Sequence, residues 1–85
     1  MHSADYRKRL DALFMSLKNV PVQHRVMAQK VWRNVYAMMV RFEGMETHYR
    51  THRRTHDTAY ENAKAEVENS IYRLEQEFFI LVLRY

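Results

Sequence analysis

Three histidines recur at four-residue intervals in the middle of the chain, each preceded by a threonine. The repeat reads Thr47-His48, Thr51-His52 and Thr55-His56. Residues i, i+4 and i+8 of a helix lie above one another on one side, so these imidazoles would form one helical edge. We expect that edge to face the following helix, since it lies close to the apolar positions Phe42 and Met45.

Imidazoles one helical turn apart can bind zinc, copper or nickel. The chain has no cysteine and no Glu-x-x-His motif to complete such a site, and Asp57 is the nearest additional ligand. We therefore predict no metal and no cofactor. If a metal site existed, His48, His52 and His56 would form it.

Arginines accompany the histidines in the same segment. The side chains predicted to contact nucleic-acid phosphates are Tyr49, Arg50, Arg53 and Arg54. Clustered cations beside an aromatic residue are typical of phosphate-binding surfaces. The competing interpretation is a solvated helical turn whose arginines pair with Glu61, Glu66 and Glu68 of the next helix, where exposed ion pairs contribute little to stability.

Residues 48–58 also resemble a turn in a known RNA-binding family. The run His48-x-x-x-His52-Arg53-Arg54-x-His56-Asp57-Thr58 is similar to the His-x-x-x-His-Lys-Lys-Asp-His-His-Ser turn of the fifteenth protein of the small ribosomal subunit. The family's following Arg-Arg-Gly-Leu-Leu is replaced here by residues 59–63, and the third helix is acidic rather than basic. The resemblance implies that such a turn can contact RNA.

An apolar run near the C-terminus points to a protein partner. Residues 78–83 read Phe-Phe-Ile-Leu-Val-Leu, and on a helix they point to every side, so they require burial all round. A β-strand is the alternative for residues 78–85, because phenylalanine, isoleucine and valine favour strands. Aromatic residues and methionine are enriched in interface cores. We predict a partner interface at Trp32, Tyr36, Met39, Phe78, Phe79, Ile80, Val82 and Tyr85.

Apolar periodicity predicts an all-α fold, a three-helix antiparallel bundle with helices at about 4–19, 22–55 and 59–84 in one domain over 1–85. Pro21 separates the first two helices. Gly44 could kink or end the second, and Thr58 with Glu61 matches a capping box that opens the third. Because the first helix is short, the second and third should project past it as a hairpin ending near His56.

Composition sets the outer limits on function. The chain has 85 residues, 47% of them hydrophobic, one glycine and a net charge of +4, which favours a few long helices. No apolar run approaches the ~20 residues of a membrane span, so we expect a soluble, intracellular protein of undetermined compartment. No glycine-rich phosphate loop, cysteine nucleophile or serine near a base is present, and we predict that the protein is not an enzyme.

These observations favour a small helical protein–protein interaction protein. It would act as a homodimer, or as a small subunit or inhibitor in a larger assembly. The alternative is an RNA- or DNA-binding protein that uses the basic hairpin tip around residues 48–56.

Overall fold

The chain folds as a three-helix antiparallel bundle, which confirms the predicted fold class. The structure, a computed structural model, describes the backbone of residues 3–84 and the side chains of residues 4–83. Helix α1 spans Ser3–Ser16 and ends in a 3₁₀ turn at Leu17–Asn19. Helix α2 spans Val22–Thr51, and α3 spans Thr58–Arg84. The bundle is a rod with extents of 47 × 17 × 17 Å.

The boundary between α1 and α2 follows from Pro21. Pro21, with a φ of −53° and a ψ of 142°, directly precedes the first residue of α2. At this position the fixed φ and the missing N–H of proline cost nothing. Arg25, one turn into α2, donates hydrogen bonds from Nη2 to the carbonyls of Lys18 and Val20, at 3.3 and 2.9 Å. The carbonyls left unpaired at the end of the 3₁₀ turn are thereby satisfied.

Helix α1 packs in the groove between α2 and α3. Tyr6 and Leu10 have no exposed surface, and the Tyr6 ring lies 6.0 Å from that of Phe42 on α2. The indole Nε1 of Trp32 donates to the Leu10 carbonyl at 2.8 Å. The core then continues along the facing sides of the long helices through Val35, Met39, Val67, Ile71, Leu74 and Phe78.

Polar pairs at the rim of the groove hold α1 to both neighbours. Arg7 pairs with Glu43 of α2 at 2.7 Å, and its Nη1 donates to the Tyr36 hydroxyl at 2.6 Å. On the other side, Arg9 Nε donates to Glu75 of α3 at 3.0 Å. The Tyr6 hydroxyl donates to Glu68, and burial together with this bond raises the pKa of Tyr6. These contacts set the register of α1 along the rod.

Two predicted boundaries are wrong, and two alternatives are decided. Helix α2 ends at Thr51, not near residue 55, and continues through Gly44 without ending there. Asp57, not Thr58, caps α3, because its Oδ1 accepts the Tyr60 N–H at 3.0 Å. Helix α3 runs through residues 78–84, so no strand forms there.

No helix within the described residues is long and apolar enough to cross a membrane.

Substitution of Gly44 tests whether α2 needs a glycine at this position. It lies on the exposed side of α2, and a Cβ placed on it would meet no atom within 4 Å. We expect Gly44→Ala to stabilise the fold by about 1 kcal/mol, because glycine has a lower helix propensity than alanine. In a domain of this size the melting temperature should rise by roughly 4–8 °C.

Ala37→Gly is the matched control, since Ala37 is exposed on the same side of α2. It should lower the melting temperature by a similar amount. Thermal unfolding followed by circular dichroism, at one protein concentration, measures both variants. A Gly44→Ala protein that melts below the wild type would show that residue 44 needs a flexible backbone.

Candidate functional site

The turn between α2 and α3, here called the hairpin tip (residues 47–58), has a defined backbone conformation. The N–H of Arg54 donates to the carbonyl of Tyr49 at 2.9 Å, and that of Arg53 to the carbonyl of Arg50 at 3.2 Å. These two bonds form a Schellman motif, which ends a helix with one residue in the left-handed conformation. That residue is Arg53, with a φ of 51°, at a position where glycine is usual.

Tyr49 is the centre of the hairpin tip. Its side chain is 4% exposed, and its ring lies 5.2 Å from that of Tyr60 on α3. The Arg54 guanidinium lies over the Tyr49 ring, 4.2 Å from its centroid. This cation–π contact takes the place of the apolar contact that usually accompanies a Schellman motif.

Asp57 ties the turn to both helices. Its Oδ1 accepts from the Tyr49 hydroxyl at 2.6 Å and from the Tyr60 N–H at 3.0 Å. Its Oδ2 pairs with Arg54 at 3.3 Å. The bond from Tyr49, the bond from the Tyr60 N–H and the Arg54 charge hold the pKa of Asp57 below its usual value. The bond to Asp57 also raises the pKa of Tyr49.

The tip arginines surround a hollow of about 560 Å³, whose lining residues are Ala4, Glu46, Tyr49, Arg50, Arg53, Arg54, His56 and Tyr60. Arg50 and Arg53 are exposed, and within the described residues neither forms an ion pair. Arg54 pairs with Asp57 rather than with a glutamate of α3. Tyr49 was predicted to contact a ligand, but its side chain is buried and therefore not accessible to one.

The histidines do not form the edge expected from their spacing. His48 and His52 are exposed, because Tyr49 occupies the side of α2 that faces α3. Their rings lie 4.2 Å apart, and His52 Nδ1 is 2.9 Å from the His48 carbonyl oxygen. His56 follows the end of the helix and stacks on Tyr60 at 3.8 Å. No three His, Cys, Asp or Glu side chains of the described residues are grouped to hold a metal.

The opposite end of the rod is apolar. The exposed large apolar side chains of the described residues are grouped there, apart from Val40 and Tyr72. These side chains, here called the apolar end, are Phe14, Met15, Val22, Val26, Met27, Phe79, Ile80, Val82 and Leu83. They come together because the end of α1, the start of α2 and the end of α3 meet at this end of an antiparallel bundle.

The predicted interface residues divide between this surface and the core. Phe79, Ile80 and Val82 are 61%, 50% and 38% exposed, whereas Met39 and Phe78 are at most 2% exposed. Met39 and Phe78 are therefore not free for a partner, because α1 and the facing long helix already cover them. Tyr85 lies outside the described residues.

Trp32 and Tyr36 are half-buried in the seam between α1 and α2. Their rings stack at 4.9 Å, and Phe14 lies 5.0 Å from Trp32. Sequence reasoning missed the contribution of α1 and of the start of α2 to the apolar end. The signal was present in the spacing of Val22 and Val26, which fall off the Val31–Val35 stripe.

Two grooves flank the last turns of α3. Leu13, Phe79 and Val82 contribute to the groove against α1, which encloses about 250 Å³. The groove against α2, of about 200 Å³, is lined in part by Met27, Val31 and Leu81. The end of α3 is thus a ridge between two largely apolar depressions.

Comparison of the chain with protein-family models, curated proteins and solved structures gives no match. The resemblance of residues 48–58 to a ribosomal turn therefore stays a resemblance of one short segment. The geometry of the hairpin tip and of the apolar end is what bears on function.

Asp57 gives the hairpin tip a testable pH dependence. Its folded-state pKa is lowered, so its contribution to stability is present above the unfolded pKa of about 4 and is lost as the pH falls through the folded-state value. We expect Asp57→Asn to unfold at lower urea concentration than the wild type near pH 7, and this difference to shrink as the pH falls below the unfolded pKa of about 4.

Asp11→Asn is the matched control, because Asp11 is exposed on α1, away from the turn. Urea midpoints at several pH values measure all three proteins. A gap between wild type and Asp57→Asn that stays constant into acid would show that the carboxylate charge at the tip does not stabilise the fold.

Proposed function

We propose that the protein is a non-enzymatic interaction protein that associates with another protein through its apolar end. The observation that carries the proposal is the grouping of exposed apolar side chains at one end of the rod. Nine of the eleven exposed large apolar side chains of the described residues lie at this end, and exposed apolar side chains that are grouped in this way mark interaction sites.

A second copy of the chain is the occupant that this surface fits best. A symmetric interface must be self-complementary, and this surface carries both a ridge, at the end of α3, and the two grooves beside it. Exposed Phe79 and Leu83 of one copy can fill a groove of the other.

Glutamates at Phe79 and Val82 test this association. Both side chains are exposed in the single chain, so Phe79→Glu with Val82→Glu should leave the helices intact. Burying a large apolar side chain contributes about 1.5–3 kcal/mol, and loss of two should weaken the dimer at least about 100-fold. Light scattering and circular dichroism measure the mass and the helicity.

Val40→Glu is the control, since Val40 is an exposed apolar residue of α2 far from the apolar end. It should dimerise as the wild type does. A wild-type protein that stays monomeric at the highest concentration it tolerates, with a mass equal to that of the double variant, would contradict self-association.

We infer nucleic-acid binding by the hairpin tip as a second candidate function. It is supported by the three arginines around the hollow and by the backbone of Arg53. A left-handed conformation costs a non-glycine residue on the order of 1 kcal/mol, so an arginine there places charge in the turn at some expense of stability. Strained residues of this kind are concentrated at functional sites.

Substitution of the tip arginines tests the second candidate. Arg50→Gln with Arg53→Gly should weaken binding to RNA or DNA of any sequence and flatten its salt dependence, because each phosphate contact contributes about 0.9 to the log–log slope. Arg54 is left in place because it pairs with Asp57. Arg53→Gly should also preserve or raise the melting temperature, since glycine adopts the left-handed conformation freely. Wild-type protein that binds neither RNA nor DNA at low salt would contradict this function.

A further inference from the structure

Three cations lie on the solvent-facing side of the middle of α2. Exposed residues recur at 30, 33, 37, 41, 44 and 48, and this spacing of three and four places them on one side of a helix. Arg41, at the edge of that side, also lines a groove against α3 with Glu66. This side, here called the basic row, is formed by Lys30, Arg33, Ala37, Arg41, Gly44 and His48. It leads directly to the hairpin tip.

No acidic residue of α2 interrupts the basic row. The helix contains two glutamates, and both point toward its neighbours. Glu43 accepts from Arg7 of α1 at 2.7 Å, and Glu46 accepts from the Tyr60 hydroxyl of α3 at 3.4 Å. Within the part of the chain that the structure describes, Lys30, Arg33 and Arg41 form no ion pair.

The basic row is long and narrow. At 1.5 Å per residue, Lys30 and His48 are about 27 Å apart along the helix, on a rod 17 Å wide. A linear array of cations on a narrow rod is suited to a linear array of phosphates, which a duplex supplies at one charge per about 1.7 Å. Ala37 and Gly44 carry small or no side chains, so a phosphate backbone can approach the helix between the cations.

The tyrosine rings at the hairpin tip are not available to stack on the bases of a single strand, and the exposed rings there are the imidazoles of His48, His52 and His56. Proteins that bind single strands stack bases on exposed aromatic side chains, at about 1–3 kcal/mol per base. Tyr49 and Tyr60 are each 4% exposed, and His56 is stacked on Tyr60. Apart from Val40 and Tyr72, the exposed large apolar side chains of the described residues, which would favour a membrane surface, are grouped at the opposite end of the rod.

We propose that the basic row, together with Arg50 and Arg53 of the hairpin tip, binds the phosphodiester backbone of a nucleic-acid duplex without reading its bases. This inference rests on the second candidate function, nucleic-acid binding by the tip. It adds the long solvent face of α2 as a contact surface and specifies a double-stranded partner.

Fluorescence anisotropy with a labelled duplex and with one of its strands, over a range of salt concentrations, tests the proposal on the full chain. We expect the duplex to bind more tightly than the strand. Arg33→Gln with Arg41→Gln should reduce the log–log salt slope by about 1.8, for two lost phosphate contacts.

Lys8→Gln with Arg73→Gln removes the same charge from exposed positions on α1 and α3 and should leave the slope unchanged. Circular dichroism verifies that both variants fold.

The outcomes separate this inference from the function on which it rests. If Arg50→Gln with Arg53→Gly weakens binding while the Arg33/Arg41 variant matches its control, the tip binds nucleic acid and the basic row does not. Tighter binding to the single strand overturns the duplex assignment. Binding to anionic vesicles or polyglutamate as strong as that to the duplex overturns nucleic acid as the partner. No binding of either the duplex or the single strand at low salt overturns both proposals.

Discussion

The position of α1 in the groove between α2 and α3 is the constraint on which the rest of the structure depends. Tyr6 and Leu10 are fully buried there, and pairs with Glu43 and Glu75 hold the helix on both sides. Without α1, the apolar side of the long hairpin around Phe42 and Ile71 would face water. Since α1 has only 14 residues, its register also decides which parts of the long helices remain uncovered.

This arrangement places an apolar surface and a basic turn at opposite ends of the rod. Antiparallel packing brings three helix termini to the apolar end, where each adds exposed side chains such as Met15, Val26 and Phe79. The other end carries the turn, with Arg50 and Arg53 exposed to solvent. A protein of this shape can associate through one end while the other remains free, so the two proposed functions do not compete for the same surface.

The hairpin tip is ordered by a small polar cluster that joins the end of the core at Tyr49. Tyr49, Arg54 and Asp57 form a closed set of one cation–π contact, one ion pair and one hydrogen bond. In that set Arg54 supports the loop, which leaves Arg50 and Arg53 as the cations available to a ligand. Arg53 has a left-handed backbone conformation, which favours glycine, although it carries a charged side chain.

The sequence by itself determined the three helices and most of their boundaries, because apolar spacing and Pro21 act over one or two turns. It also identified Phe79, Ile80 and Val82 as apolar residues that one small core cannot cover. Helical periodicity also places Tyr49 and Phe78 on the core side of their helices, seven residues from Phe42 and Ile71. Only the tertiary structure decided that Met39 is buried and that α2 ends at Thr51. The first depends on contacts between residues distant in the chain and the second on the geometry of one turn, and helical periodicity determines neither.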